Sequence, residues 1–309
     1  MEHILNMLPL SEAWREEFRR VAAGHTQIFA PAGIAEDGAP LPVEVYENAT
    51  VILGNPPVEA LKRNRVLRFL QTRSAGMEQY EAPGVLPEGA EVHNAVGAYG
   101  HSVSEHMFAM LLSLMKRLPD YRDRQRGGGW EDLGEVKSLL DARVLCVGTG
   151  DLGSSFARQC KALGAKTAGV RREAGKGAEG IDAMYPIGEL DALLPQADVV
   201  ALMLPHNAGT NRLMDRRRLL LMKPDAILLN GGRGTAVDCQ ALADVLAEGH
   251  LWGAALDVTE PEPLPPEHPL WQQERAILTP HTAGGDHLSD TPGRIARIAI
   301  GNLKRFLER

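Results

Sequence analysis

Cysteine is scarce: three in 309 residues, Cys146, Cys160 and Cys239, with no CxxC spacing among them. So sparse and odd a set excludes a disulfide-stapled scaffold and fits reduced structural thiols in the cytoplasm. Long apolar runs are missing too. The most apolar helix-like stretch, MFAMLLSLM at 107–115, is far too short to cross a bilayer. The N-terminus, MEHILNMLPLSEAW, lacks the basic start and apolar run of a signal peptide. Positive charge is not in excess: the net charge is −7 and the pI near 5.8, which argues against a general binder of nucleic acid or anionic membrane. The ten histidines contain neither HxH nor HExxH, so no metal cluster is visible. Internal repeats and low-complexity tracts are also lacking. A soluble, cytoplasmic protein is expected.

What is present is ordinary in amount: 44% hydrophobic and 24% charged residues, over a length that predicts about two domains. In the first hundred residues HILNML, TQIFA, TVILG and VLRFLQT read as strands, with SEAWREEFRRVAAG as an amphipathic helix. Ser11 stands where that helix needs a cap. From Ser102 to Leu118, Val103, Met107, Met110, Leu111, Leu114 and Leu118 recur at helical spacing, and Phe108, Leu112 and Met115 widen the stripe almost all the way round. Such a helix is expected to be buried, at a domain or subunit boundary. RQRGGGW at 124–130 predicts a flexible turn. Six further strands follow: ARVLCVG, AKTAGV, ADVVALMLP, DAILLNGG, WGAALDV and RAILTPH. Helix-like segments separate several of them, which is the doubly wound pattern. The chain ends in one more helix, GRIARIAIGNLKRFLER, expected to pack back on the first domain.

VLCVGTGDLGSSFARQCKALG places Gly148, Gly150 and Gly153 in a GxGxxG frame. Alone that frame is weak, but here it follows a strand, opens a helix and precedes a second strand. Gly148 permits the tight turn, Gly150 lets a pyrophosphate approach, and Gly153 allows close helix–strand packing. The helix N-terminus offers amides and a positive dipole end. A dinucleotide site is expected.

In open α/β sheets ligands collect outside the carboxyl ends of strands. Arg233 follows AILLNGG, Glu262 follows GAALDVTEP, and His281 follows AILTP. Each has a plainer explanation: a solvated arginine, one acid among several in EPEPLPPEHP, and a loop histidine. Together, beside a dinucleotide site, they point to chemistry. Glu105 and His106 in SEHM also look like an acid–base pair, but adjacent helix residues face different ways. Both are expected to be structural.

The motifs GTGDLG, LLNGGRGTAVD, GAALDVTEPEPLP, LW and LTPHTAG, in that order, with TRSAGMEQY and NAVGAYGHSVSEHM before them, resemble the D-isomer-specific 2-hydroxyacid dehydrogenases. The likeness covers nearly the whole chain and is greatest to the glyoxylate/hydroxypyruvate reductase and 2-ketoacid reductase branch. The spacings of 29 positions from Arg233 to Glu262 and 19 from Glu262 to His281 agree with it. The resemblance implies two Rossmann-like α/β domains with parallel sheets, the cofactor domain (99–285) being inserted into a discontinuous flavodoxin-like substrate domain (1–98 and 286–309). It implies that Arg233 grips the substrate carboxylate and polarises its carbonyl. His281 would donate a proton to the alkoxide left by hydride, with Glu262 favouring the charged imidazole. Backbone amides at Ser74, Ala75 and Gly76 would hold the carboxylate, although Met77 and Glu78 stand where the family often has Val-Asp. Asp257 would bond the nicotinamide carboxamide and Pro205 would line the adenosine side. Asp151 and Leu152 in the glycine loop, with Gly231 and Gly232 before Arg233, complete the cofactor set.

The strand KTAGV is expected to end at Val170, and Arg171 and Arg172 then lie 18 and 19 positions past Gly153. NAD-preferring sites carry an Asp or Glu near there, which would repel a 2′-phosphate; arginine attracts one. Lys176 could add a contact. NADP is therefore expected over NAD, in a reductase of small 2-keto acids working as a homodimer through the 102–118 helix. The rivals are the same fold acting on phosphite, formate or a bulkier keto acid, and a dinucleotide-sensing regulator. An acid–base set favours an enzyme.

Overall fold

The computed structural model describes residues 1–31, 41–173, 175, 177–285 and 288–309. The chain divides into two compact units, Met1–Tyr99 with Asp286–Arg309, and Gly100–Gly285. Six of the described helices have nine or more residues: α1 (Glu12–Val21), α2 (Gly100–Met115), α3 (Leu118–Arg126), α4 (Asp151–Ala162), α5 (Cys239–Ala247) and α6 (Thr291–Leu307). None of the described helices is long and apolar enough to cross a membrane.

In the first unit, β1 (His3–Asn6), β2 (Thr26–Phe29), β3 (Val51–Leu53), β4 (Phe69–Gln71) and β5 (Glu91–His93) form a parallel sheet ordered β2-β1-β3-β4-β5. The central strands are short apolar runs because both faces of a parallel sheet are covered. Helix α1 starts after Ser11, which caps through its carbonyl (Arg15 N–H, 3.0 Å) and not through its hydroxyl. Glu12 in its first turn and Arg19 and Arg20 in its last complement the helix dipole. Helix α6 returns to this unit. Its residues Ile295, Ala296, Ala299 and Leu303, spaced by helical turns, are buried with Ile4, Phe18, Val51 and Phe69.

The second unit holds β6 (Arg143–Val147), β7 (Lys166–Arg171), β8 (Ala183–Pro186), β9 (Val199–Leu202), β10 (Ile227–Asn230), β11 (Gly253–Leu256) and β12 (Ala276–Leu278). All pair in parallel, in the order β12-β11-β10-β9-β6-β7-β8. The order reverses between β6 and β9, so the doubly wound sheet opens a ligand crevice at their carboxyl ends. Strand β7 runs one residue beyond the expected end, through Arg171. The α2 helix is not buried all round. Val103, Met107, Met110, Leu111 and Leu114 are buried, and the helix packs on α4, β10 and β11, while His101, Glu105 and Ala109 are exposed and Phe108 and Leu112 half-buried. All three cysteines are free and buried, and burial pushes the Cys146 thiol up to about 12.

Candidate active site

The glycine loop joins β6 to α4 beside the end of β7, where the Gly148 N–H donates to Val170 O at 2.8 Å. Gly148 has φ +96, which disfavours any side chain, and a Cβ on Gly153 would lie 1.9 Å from Gly148 O. Space around Gly150, by contrast, is open: a Cβ there would meet nothing within 4 Å. A tight turn, an open approach and the start of the twelve-residue α4 at Asp151 and Leu152 thus coincide. That combination fits a dinucleotide pyrophosphate. Pro205 follows β9 across the switch point, and Gly231 and Gly232 follow β10. A Cβ on Gly232 would strike Leu204 N at 2.6 Å, so the two strand ends are pressed together.

At the end of β7, Arg171 is half-buried and Arg172 exposed, with Glu173 exposed next to them. Lys176 lies outside the described residues.

The carboxyl ends of β10, β11 and β12 carry the remaining groups. Arg233 caps a 3-10 turn at Gly234–Ala236. Its carbonyl accepts from Asn230 Nδ2 at 3.0 Å, and its own Nη1 donates to Gly232 O at 3.0 Å. Gly234 presses so closely on the next loop that a Cβ would lie 1.7 Å from Thr259 O. Thr259 in turn donates its N–H to Glu262 Oε1 at 3.0 Å, and Glu262 Oε2 pairs with His281 Nδ1 at 2.9 Å. The arginine turn therefore packs against the loop whose hydrogen bonds run through Glu262 to the histidine. The histidine and glutamate side chains are 50% and 39% exposed, open enough to meet a ligand.

Asp257 is 3% exposed at the end of β11. Its Oδ1 accepts from Thr279 Oγ1 (2.6 Å) and Thr282 N–H (3.0 Å), and its Oδ2 from Ala283 N–H (3.1 Å). Three donors make this buried carboxylate tolerable. Ser74, Ala75 and Gly76 belong to the first unit, after β4. The Ser74 carbonyl accepts from Ala95 N–H (3.0 Å), that of Ala75 from Asn94 Nδ2 (3.1 Å) and that of Gly76 from Ser74 Oγ (2.7 Å). The loop is thus built on its carbonyls. Glu105 faces His101 at 3.6 Å, but His106 reaches Thr279 Oγ1 at 3.0 Å. Sequence reasoning missed that contact; the one signal for it was the spacing of Ser102, His106 and Met110, one helical turn apart each time.

Fold and site together define an α/β oxidoreductase that works with a nicotinamide dinucleotide. The model of the D-isomer specific 2-hydroxyacid dehydrogenase NAD binding domain matches residues 108–283. A glyoxylate reductase of Korarchaeum cryptofilum is 30% identical over 269 residues, 84% of this chain and 79% of the relative. The crystal structure of a D-isomer specific 2-hydroxyacid dehydrogenase family protein from Aeromonas salmonicida superposes with a TM-score of 0.83 at 30% identity, over 100% of this chain and 96% of that one. A D-isomer specific 2-hydroxyacid dehydrogenase of Xanthobacter autotrophicus, solved with NADPH and MES, superposes at 0.80 with 26% identity, over 98% and 94%. The chain belongs to the D-isomer specific 2-hydroxyacid dehydrogenase family.

Proposed function

We propose that this dehydrogenase reduces a small 2-keto acid such as glyoxylate or hydroxypyruvate to its D-2-hydroxy acid, with NADPH preferred to NADH. The observation that carries the reduction is the His281–Glu262 pair at 2.9 Å, anchored through Thr259 on the loop against which the Arg233 turn packs. The cofactor, held by the glycine loop with Asp151, Leu152, Pro205, Gly231 and Gly232, supplies the hydride. Arg233 grips the substrate carboxylate with its planar fork and polarises the adjoining carbonyl. Glu262 engages Nδ1 of His281, so Nε2 is the ring atom that holds the proton for the developing alkoxide. Half-exposed, the imidazole regains that proton from solvent.

The NADPH preference rests on Arg171 and Arg172 at the end of β7, where an acid would repel the 2′-phosphate, and is supported by the NADPH bound in the Xanthobacter relative. Absorbance at 340 nm, followed with glyoxylate, hydroxypyruvate and bulkier keto acids against each cofactor, tests both parts. Failure to oxidise NADPH with any of them would remove the proposal.

We further propose a cytoplasmic homodimer. The exposed apolar side chains supporting it are not on α2 but just after it: Leu118 and Trp130 are 53% and 98% exposed beside a groove of about 710 Å³ that they line with Tyr121. Trp130→Ser is expected to shift the molecular mass in equilibrium sedimentation towards the monomer.

A further inference from the structure

His281 has φ +51, a left-handed backbone uncommon for any residue but glycine. Locally the His281 N–H is shared with Thr279 O, two residues back, at 3.0 Å. The hold from outside the turn is Asp257. The main-chain carbonyl of Asp257 takes the His281 N–H at 2.8 Å, and its carboxylate takes the next two amides, Thr282 and Ala283. The same carboxylate takes the hydroxyl of Thr279, two residues before the histidine. One buried aspartate therefore brackets the histidine from both sides.

That bracket has its own support from a distant part of the chain. Thr279 Oγ1 spends its hydrogen on Asp257, so its oxygen is left to accept, and His106 Nε2 stands 3.0 Å from it. His106 Nε2 is also 3.7 Å from Asp257 Oδ1. One turn earlier on α2, Ser102 Oγ donates to Ala283 O at 2.6 Å; one turn later, Met110 Sδ lies 3.9 Å from the Thr279 hydroxyl. Residues four apart share a helix face, so Ser102, His106 and Met110 form one stripe laid along the 279–283 loop.

We propose that this stripe is a latch that sets the backbone of His281, with His106 as a positioning residue acting through Thr279 and Asp257. His106 does not touch the substrate. It fixes which way the Thr279 hydroxyl points, and so whether the bracket closes with His281 in its left-handed conformation. The inference rests on His281 as the proton donor for its bearing on catalysis, but the latch itself is a property of the chain without substrate.

Hydrogen exchange of the whole protein therefore tests it directly. His106→Leu removes the donor at Nε2; His106→Gln keeps an N–H at about the same reach. In the leucine variant the amides of the peptide spanning 279–283 should exchange about tenfold faster, the effect of losing one hydrogen bond to a network holding a buried charge. The glutamine variant should stay near wild type, and peptides of β6 should not move in either. Ser102→Ala should loosen the Ala283 end of the same peptide. In steady-state assays His106→Leu should lower kcat while the KM for cofactor stays within about twofold, with glutamine rescuing kcat, because only the reacting histidine is misplaced. Unchanged exchange at 279–283 in the leucine variant would overturn the latch, as would equal acceleration in the glutamine variant or in β6. If the wild type reduces no keto acid, the function proposed above fails, and the exchange comparison still decides the latch.

Discussion

Two edges of the same sheet hold polar groups in opposite ways. At the carboxyl ends of β11 and β12, Asp257, Glu262 and His281 are tied by directional hydrogen bonds between 2.6 and 3.1 Å. At the end of β7, Arg171 is half-buried and Arg172 exposed, with an acidic neighbour in Glu173. The proton transfer proposed for His281 needs a ring nitrogen at one place, which fixed geometry supplies. The choice proposed for Arg171 and Arg172, between a phosphate and a hydroxyl, needs only a field of the right sign. Residues placed by geometry and residues acting through their charge should therefore fail differently when altered.

The largest effect is expected at the braced edge. His281→Ala should lower kcat about 10²–10⁴-fold while a fluorescence titration of dinucleotide shows binding near wild type. Near-normal turnover in that variant would remove the assignment of the proton donor. Arg233→Lys comes next. It keeps the charge but loses the fork, and a fall of about 10- to 100-fold in kcat/KM for the keto acid is expected, one charge-assisted hydrogen bond's worth. A lysine variant as active as wild type would mean that charge alone suffices at this edge too, breaking the contrast.

At the end of β7, Arg171→Ala should shrink the NADPH-to-NADH ratio of kcat/KM about tenfold with kcat little changed. An unaltered ratio would take Arg171 out of cofactor choice. The smallest effect is that of salt. Going from about 0.05 to 0.5 M NaCl should erode the proposed NADPH preference before it touches kcat with saturating NADPH, since attraction between separated charges is screened more than a pair already in hydrogen-bond contact. Parallel loss of both would say that the two edges are not distinct.

How much of this was legible in the chain follows from what each element needs. Strands β6, β7 and β9 to β12 stand out as apolar runs because the covered sheet demands them, and GxGxxG stands out because Gly148 and Gly153 admit no side chain. Strands β5 and β8 do not stand out: both are edge strands of three or four half-buried residues, EVH and AMYP, with no apolar run to read. The α2 helix misled in the other direction. Its broad apolar stripe predicted burial on every side, whereas the exposed His101, Glu105 and Ala109 show that six or seven apolar residues are enough to seat it on α4, β10 and β11. Glu105 and His106 were correctly separated by facing different ways, yet where His106 faces depends on Thr279, 173 residues further on. No local pattern contains that distance. Arg233, Glu262 and His281 were legible as strand-end residues, but the packing of Gly234 on Thr259 and the bond from Thr259 to Glu262 were not, because they depend on loops that meet only once the strands align.

The bond from Ser102 to Ala283 closes more than the 279–283 loop. Those residues lie three positions or fewer from the first and last residues of the Gly100–Gly285 unit. The unit's own ends are thus stitched together, and to the chain that carries it a long excursion looks like a short one. Loop-closure entropy depends on the span left unconstrained, so an insertion with joined ends adds little to the cost of folding its host.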